Sequence, residues 1–335
     1  QDPDIEVVGT AADGAFALRK LETLKPDVIT LDVEMRQMGG LELLQKLMAE
    51  QPMPAVMVSA HTQRGAEVTL KALELGAVDF VAKPQAGGAF SLTQVGQQLI
   101  EKVKNASRAK LRTPRFASTP PRPVSRPVSQ PSSRVVSAIR ARWEVIAIGS
   151  STGGTEALKE VLTQLRPDCP GLVCTQHMPE GFTAAFAKRL NSLCEIEVKE
   201  AEDGELIQPG RALIAPGHSH LGITRNGSQL KVALDAGPPV NRHRPSVEVL
   251  FLSVAQAAGA KAIGIMLTGM GADGAKAMVR LKNSGAHTIA QSEETCVVFG
   301  MPREAIALGG VKDIVPLDRI AGRIYSLLPE SSTAA

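Results

Sequence analysis

Three residues of this chain have the right chemistry to break an ester or an amide together: Ser151, His177 and Asp273. Ser151 sits in Gly149-Ser150-Ser151-Thr152-Gly153, the spacing G-x-S-x-G with Ser151 at the nucleophile position. A serine hydroxyl is a poor nucleophile until a base removes its proton. Imidazole, with an unperturbed pKa of about 6.5, does this near neutral pH. A carboxylate then fixes the imidazole tautomer and stabilises the imidazolium. The oxyanion needs N–H donors, and the candidates are the amides beside Ser151 and those of Gly269-Met270-Gly271. His218, His220 and His243 compete with His177 as the base; His287 opens a strand-like run and so falls at the opposite edge. Asp273 has an alternative role as a helix cap. The turn at Ser151 has one too, as a phosphate-cradling loop. Against the latter, Gly149–Gly154 lacks the Gly-Lys-Ser/Thr ending of a P-loop and the G-x-G-x-x-G spacing.

The elements around these residues set where they lie. An apolar run at 144–148 enters the Ser/Gly turn, and a helix follows over 155–165. Strand 172–176 delivers His177, with a helix over 182–193 after it. Shorter strands fall near 211–215 and 230–234, among Gly/Pro turns that suggest hairpins at one end of the sheet. After Pro245, Val247, Leu250, Phe251 and Val254 recur at helical spacing. Strand 262–267 then leads into Thr268-Gly-Met-Gly-Ala-Asp273-Gly274. Ser151, His177 and Asp273 therefore each follow the carboxyl end of a strand, the edge where open α/β sheets carry their chemistry.

The N-terminal part alternates in the same way. Strands are expected at 5–8, 28–31, 55–59 and 80–82, and helices at 15–24, 41–49, 67–75 and 92–103. Such alternation predicts a parallel sheet covered by helices on both faces. Asp32, Ser59 and Lys83 stand at strand ends, a grouping that suits a phosphoryl acceptor and two oxyanion partners or, more simply, a loop ion pair between Asp32 and Lys83.

Residues 105–142 divide the two parts. They hold six prolines, seven serines, eight arginines, one lysine and no acid, so the basic character of a chain of net charge +3 is confined to this segment. Its few apolar residues cannot offset the entropy of ordering, and it reads as an extended tether or, alternatively, a basic arm for DNA. The three expected units are residues 1–104, 105–142 and 143–335. Aromatic residues make up only 3%, which argues against a base-stacking nucleic-acid surface. No apolar run approaches the roughly 18 residues of a membrane helix, and Gln1-Asp2-Pro3-Asp4 does not begin as a secretory signal does. Four scattered cysteines without a C-x-x-C pair point to reduced thiols in the cytoplasm and to no metal site.

Thr30-Leu-Asp-Val-Glu-Met35, Ser59-Ala-His-Thr62 and Ala77-Val-Asp-Phe-Val-Ala-Lys-Pro84 resemble a response-regulator receiver domain. The resemblance implies a flavodoxin-like fold, Asp32 as the phosphorylated residue, Lys83 and Ser59 as its supports and Phe80 as the switch aromatic. Arg36 and Gly39-Gly40 depart from the family's usual proline and Asp-Gly. The chain also opens at what resembles the second receiver strand, so the first strand and helix are expected to be missing from a longer protein. Mg²⁺ is implied only where the acidic pair of that first strand is present.

Ile148-Gly-Ser-Ser-Thr-Gly-Gly-Thr155, Thr175-Gln-His-Met-Pro179, Pro239-Val-Asn-Arg-His-Arg-Pro-Ser246, Leu267-Thr-Gly-Met-Gly-Ala-Asp-Gly274 and Val298-Phe-Gly-Met-Pro-Arg-Glu304 resemble the catalytic domain of bacterial chemotaxis protein-glutamate methylesterases. The resemblance implies a doubly wound, mostly parallel α/β domain with Ser151 as nucleophile, His177 as base and Asp273 as orienting carboxylate. It implies the Met270 amide as an oxyanion donor, Thr152 as a support of His177, and no catalytic cofactor. It further implies methyl-esterified chemoreceptor helices as substrate, glutamine deamidation as a second activity, a chemotaxis histidine kinase as phosphodonor, and neither nucleic-acid binding nor membrane insertion. The rival readings are a general serine esterase, which the order Ser…His…Asp disfavours, a non-catalytic phosphate- or nucleotide-binding switch, and a DNA-binding response regulator.

Overall fold

The computed structural model describes residues 2–35, 37–60, 62–84, 92–111 and 142–328; the greater part of the expected tether, 112–141, lies outside them.

Alternating apolar runs and amphipathic helices build two parallel sheets. The N-terminal one pairs β1 (Ile29–Asp32), β2 (Ala55–Ser59) and β3 (Asp79–Ala82) in that order. Helices Gly14–Leu24, Gly40–Glu50, Gln63–Glu74 and Leu92–Ala106 surround it. The first begins where the Asp13 side chain accepts the Phe16 amide; the third begins where Thr62 accepts the Gly65 amide. Leu43, Leu44 and Leu47, on one face of the second helix, are buried against the sheet.

One expected strand does not form. Residues 5–8 pair with no other segment, and Val7 is 77% and Val8 46% exposed. The reason is the lack of a neighbour. A strand exists by exchanging backbone hydrogen bonds, and among the described residues no strand lies along the outer side of β1 to supply them. The last helix also continues to Ala106, two residues past the expected boundary at 104.

The C-terminal sheet has seven parallel strands in the order β12-β11-β10-β4-β5-β7-β6. At its centre lies β4 (Val145–Ser150), with all six residues buried, as expected of a strand covered on both faces. To one side run β5 (Gly171–Gln176), β7 (Arg211–Ile214) and β6 (Glu197–Glu200). To the other run β10 (Ala262–Met266), β11 (His287–Gln291) and β12 (Asp313–Val315). The chain goes from β4 to β5 on one side and returns to β10 on the other, which puts a topological switch point at the carboxyl ends of β4 and β10. Of the short strands expected near 211–215 and 230–234, the first joins the parallel sheet as β7, and the second, β9 (Gln229–Asp235), forms a hairpin with β8 (His220–Asn226), a strand not expected among these Gly/Pro turns, the two joined through Gly227 at φ 59°. Ser246 caps helix Val247–Ala257, whose Val247, Leu250, Phe251 and Val254 are buried. The strands β6 and β12 and the terminal helix Ile320–Leu327 extend beyond the sequence-level expectation.

Candidate active site

The switch point gathers three functional groups. β4 ends at Ser150, and Gly153, at φ +76°, turns the chain into helix Gly154–Leu162. A side chain there would need a left-handed backbone, and its Cβ would sit 2.6 Å from Val297 Cβ, so the sharp corner requires glycine. Ser151 projects from this corner. Its Oγ lies 3.1 Å from His177 Nδ1, and His177 Nε2 lies 2.8 Å from Asp273 Oδ2. The His177 side chain is only 8% exposed and that of Asp273 2%. Ser150 does not compete, since its buried hydroxyl donates to Gln176 Oε1 at 2.7 Å.

Asp273 is held from all sides. Oδ1 accepts from Asn241 Nδ2 and Ser246 Oγ, both at 2.8 Å, and Oδ2 accepts from the Val247 amide at 2.7 Å. Burial alone would raise its pKa, but the hydrogen bond and charge of His177, with those of Asn241 and Ser246, outweigh burial and hold the carboxyl well below its ordinary range. With Asp273 ionised, the proton of neutral His177 sits on Nε2, and the Nδ1 lone pair faces Ser151.

Two amides close to Ser151 in the chain or across the sheet edge are left available for an oxyanion. The Ser151 amide is not one of them, because it donates to the Thr268 carbonyl at 3.0 Å. Among the described residues, the amides of Thr152 and Met270 donate to no protein oxygen. The Met270 loop also passes close: a Cβ on Gly269 would come within 2.8 Å of Ser151 Cβ. A cavity of about 400 Å³ opens beside this loop, bordered by Met270, Phe299, Arg303, Arg108 and Lys110.

The other expected site residues divide. Thr152 does not support His177: its hydroxyl donates instead to Asp79 Oδ2 of the N-terminal domain at 2.6 Å. That carboxylate also pairs with Lys102 at 2.7 Å, which leaves Thr152 as a cross-domain contact. Phe80 packs on Phe182 with ring centroids 4.6 Å apart. Lys83 Nζ meets Asp32 Oδ2 at 2.6 Å. Ser59 stands one residue past Val58, the partner of Asp32 on the neighbouring strand, and its buried hydroxyl donates to the Gly65 carbonyl at 3.2 Å rather than to Asp32. Of the rival histidines, His287 pairs with Asp313, His220 lies between the Pro238 carbonyl and the Ser246 amide, and His218 bonds Ser219. His243 does reach the site, with its ring stacked on that of His177.

A doubly wound sheet that brings a serine, an imidazole and a carboxylate into line at its switch point defines a hydrolase of the serine type, here joined to a second parallel α/β unit. The CheB methylesterase family model matches residues 146–324, and the response regulator receiver domain model matches residues 1–91. A protein-glutamate methylesterase/protein-glutamine glutaminase from Methylobacillus flagellatus is 51% identical over 335 residues, covering 100% of this chain and 93% of its own. One from Nitrosomonas europaea is 52% identical over 326 residues, covering 97% and 90%. The crystal structure of the Thermotoga maritima CheB methylesterase catalytic domain superposes with a TM-score of 0.54 at 40% identity, over 56% of this chain and 99% of that one. The chain belongs to the CheB methylesterase family, and its N-terminal part is a response-regulator receiver.

Proposed function

We propose that Ser151, His177 and Asp273 carry out the hydrolysis for which this family is named, on methyl-esterified glutamates of chemoreceptor cytoplasmic helices. The observation that carries the reading is the unbroken line from Ser151 Oγ through His177 to Asp273, at 3.1 and 2.8 Å. As Ser151 Oγ attacks the ester carbonyl, His177 Nδ1 takes its proton. Asp273 stabilises the resulting imidazolium, and the Thr152 and Met270 amides receive the oxyanion. His177 then returns the proton to the departing methoxide, which leaves as methanol and an acyl-serine. Water, deprotonated by the same Nδ1, releases the glutamate. A glutamine side chain follows the same steps with ammonia as the leaving group, so deamidation needs no second site. No step calls for a cofactor.

The domain division we propose is a receiver over 1–104, a tether over 105–142 and a catalytic domain over 143–335. In the receiver, Asp32 is the phosphoryl acceptor, with a chemotaxis histidine kinase as donor and Lys83 as its cationic partner. Magnesium would serve the receiver where the acidic pair of the first receiver strand is present, with Asp32 the carboxylate of the described residues that would share its site. The receiver restrains the esterase through Asp79 on Thr152, next to the nucleophile, and Phe80 on Phe182. Phosphorylation acts by favouring the arrangement in which these contacts part. The protein works in the cytoplasm, where receptor helices and kinase are found. No helix of the described residues is long and apolar enough to cross a membrane.

The test measures methanol release from methylated receptor and ammonia release from receptor carrying glutamine, for wild type and His177→Ala. One site serving both reactions predicts that both rates fall together by at least about 10³-fold. Loss of one rate with retention of the other would overturn the reading.

A further inference from the structure

The chain from Val240 to His243 turns back on itself in four residues, each end donating its amide to the other's carbonyl at 2.9–3.0 Å. The two central residues are Asn241 at φ 51° and Arg242 at φ 70°. Neither is glycine, and two successive left-handed residues cost on the order of 1–3 kcal/mol each. Such a turn persists only where the surroundings over-determine it. Here it delivers two side chains to one place. Asn241 Nδ2 donates to Asp273 Oδ1 at 2.8 Å, and the His243 ring lies on the His177 ring with centroids 3.7 Å apart and planes 14° from parallel.

We propose that His243 is a positioning residue for the hydrolysis: its flat ring, held by this turn, keeps the plane of His177 in line between Ser151 and Asp273. The inference rests on the proposed roles of those three residues. His177 is fixed by two hydrogen bonds along its edge. These leave it free to tilt about the line joining Ser151 Oγ and Asp273 Oδ2, and a stacked ring removes that freedom. His243 itself does not shuttle the proton. The charged and titratable groups facing it are His177, Asp273, Lys102 of the receiver and Arg242. Burial, then the adjacent His177, push it down to about 3, with Lys102 and Arg242 acting in the same sense and only Asp273 opposing. It therefore stays neutral through the working range and puts no positive charge against the imidazolium that forms on His177.

The experiment is steady-state methanol release from methylated receptor by the full chain, as a function of pH, for wild type, His243→Ala, His243→Phe and Ser151→Ala, with thermal unfolding of each. His243→Ala is expected to lower kcat by roughly 10–100-fold, the scale of a misplaced catalytic group, with little change in KM. His243→Phe, which keeps a flat neutral ring and no nitrogen, is expected to restore kcat to within about threefold of wild type, with the acid limb of the pH profile unmoved. A kcat within about twofold of wild type in His243→Ala would overturn the inference. So would a His243→Phe variant that folds and is as impaired as the alanine variant, since a ring nitrogen would then be required. If Ser151→Ala is inactive while His243→Ala is normal, only this inference fails; if Ser151→Ala remains active, the reading beneath it fails.

Discussion

Replacing Asp273 by asparagine probes the site more sharply than its removal, because the shape survives and only charge and acceptor capacity change. Every group around this carboxylate is a donor: His177 Nε2 and the Val247 amide on Oδ2, Asn241 Nδ2 and Ser246 Oγ on Oδ1. An asparagine amide must turn its NH₂ toward one of these pairs. Facing His177, it donates to Nε2, which moves the imidazole proton to Nδ1 and leaves nothing to accept the Ser151 proton; the Val247 amide loses its partner as well. Facing the other pair, it opposes Asn241, and the Ser246 hydroxyl must rotate to accept. The first arrangement is the costly one for catalysis, and a wrong tautomer in a triad of this kind lowers kcat by about 10⁴-fold. That corresponds to about 5.5 kcal/mol of barrier. The unsatisfied donor left behind adds roughly 1–3 kcal/mol of lost stability at neutral pH. The two losses separate with acid. Because the folded carboxyl titrates below its ordinary value of 3.8, its stabilising effect is complete above that value and disappears as pH falls through the folded pKa. Wild type and Asp273→Asn should therefore converge in stability under acid and diverge toward neutrality, as followed by urea unfolding, while methanol release at pH 7 reads the rate. A variant within tenfold of wild type at pH 7 would refute this reasoning.

Three further outcomes follow from contacts elsewhere. Asp79→Ala removes the acceptor of the Thr152 hydroxyl and the partner of Lys102. A charged hydrogen bond of about 1.5–3 kcal/mol is lost, and unphosphorylated methanol release should rise roughly tenfold; an unchanged or lower rate would speak against restraint by the receiver. Gly153→Ala forces a Cβ into Val297 at a left-handed position, and should lower stability by about 1–3 kcal/mol together with kcat; wild-type unfolding and turnover would contradict the strained corner. Burial opposes ionisation of Asp313, but hydrogen bonds from His287 and Arg323 hold its pKa low. Asp313→Asn should therefore destabilise the protein by about 1 kcal/mol at neutral pH, an effect that fades as pH falls below the ordinary carboxylate range, measured by urea unfolding across pH.

What the sequence carried was mostly local. Strand and helix periods place Ser151, His177 and Asp273 after strands, and β4, β5 and β10 do end there. Being next to one another is a property of strand order, which periodicity does not encode; β10 lies against β4 although the paired residues Gly149 and Met266 stand 117 positions apart in the chain. The G-x-S-x-G spacing puts Ser151 rather than Ser150 at the nucleophile position, and the structure adds what the spacing does not hold, Gln176 binding the Ser150 hydroxyl. Thr152 was legible as a neighbour of the nucleophile but not as the ligand of a carboxylate 73 residues away, because domain docking leaves no local pattern. His243 stood among four histidines, and only the left-handed pair Asn241–Arg242, which nothing in their residue types announces for arginine, turns it onto His177. Residues 5–8 show the reverse limit: strand-forming residues make no strand where no partner lies beside them.

The most direct test of the central claim compares Ser150→Ala with Ser151→Ala in methanol release from methylated receptor. The account predicts that Ser151→Ala loses at least about 10³-fold in kcat, while Ser150→Ala, whose hydroxyl is bound to Gln176, keeps most of its turnover. Substantial turnover by a folded Ser151→Ala protein would contradict it.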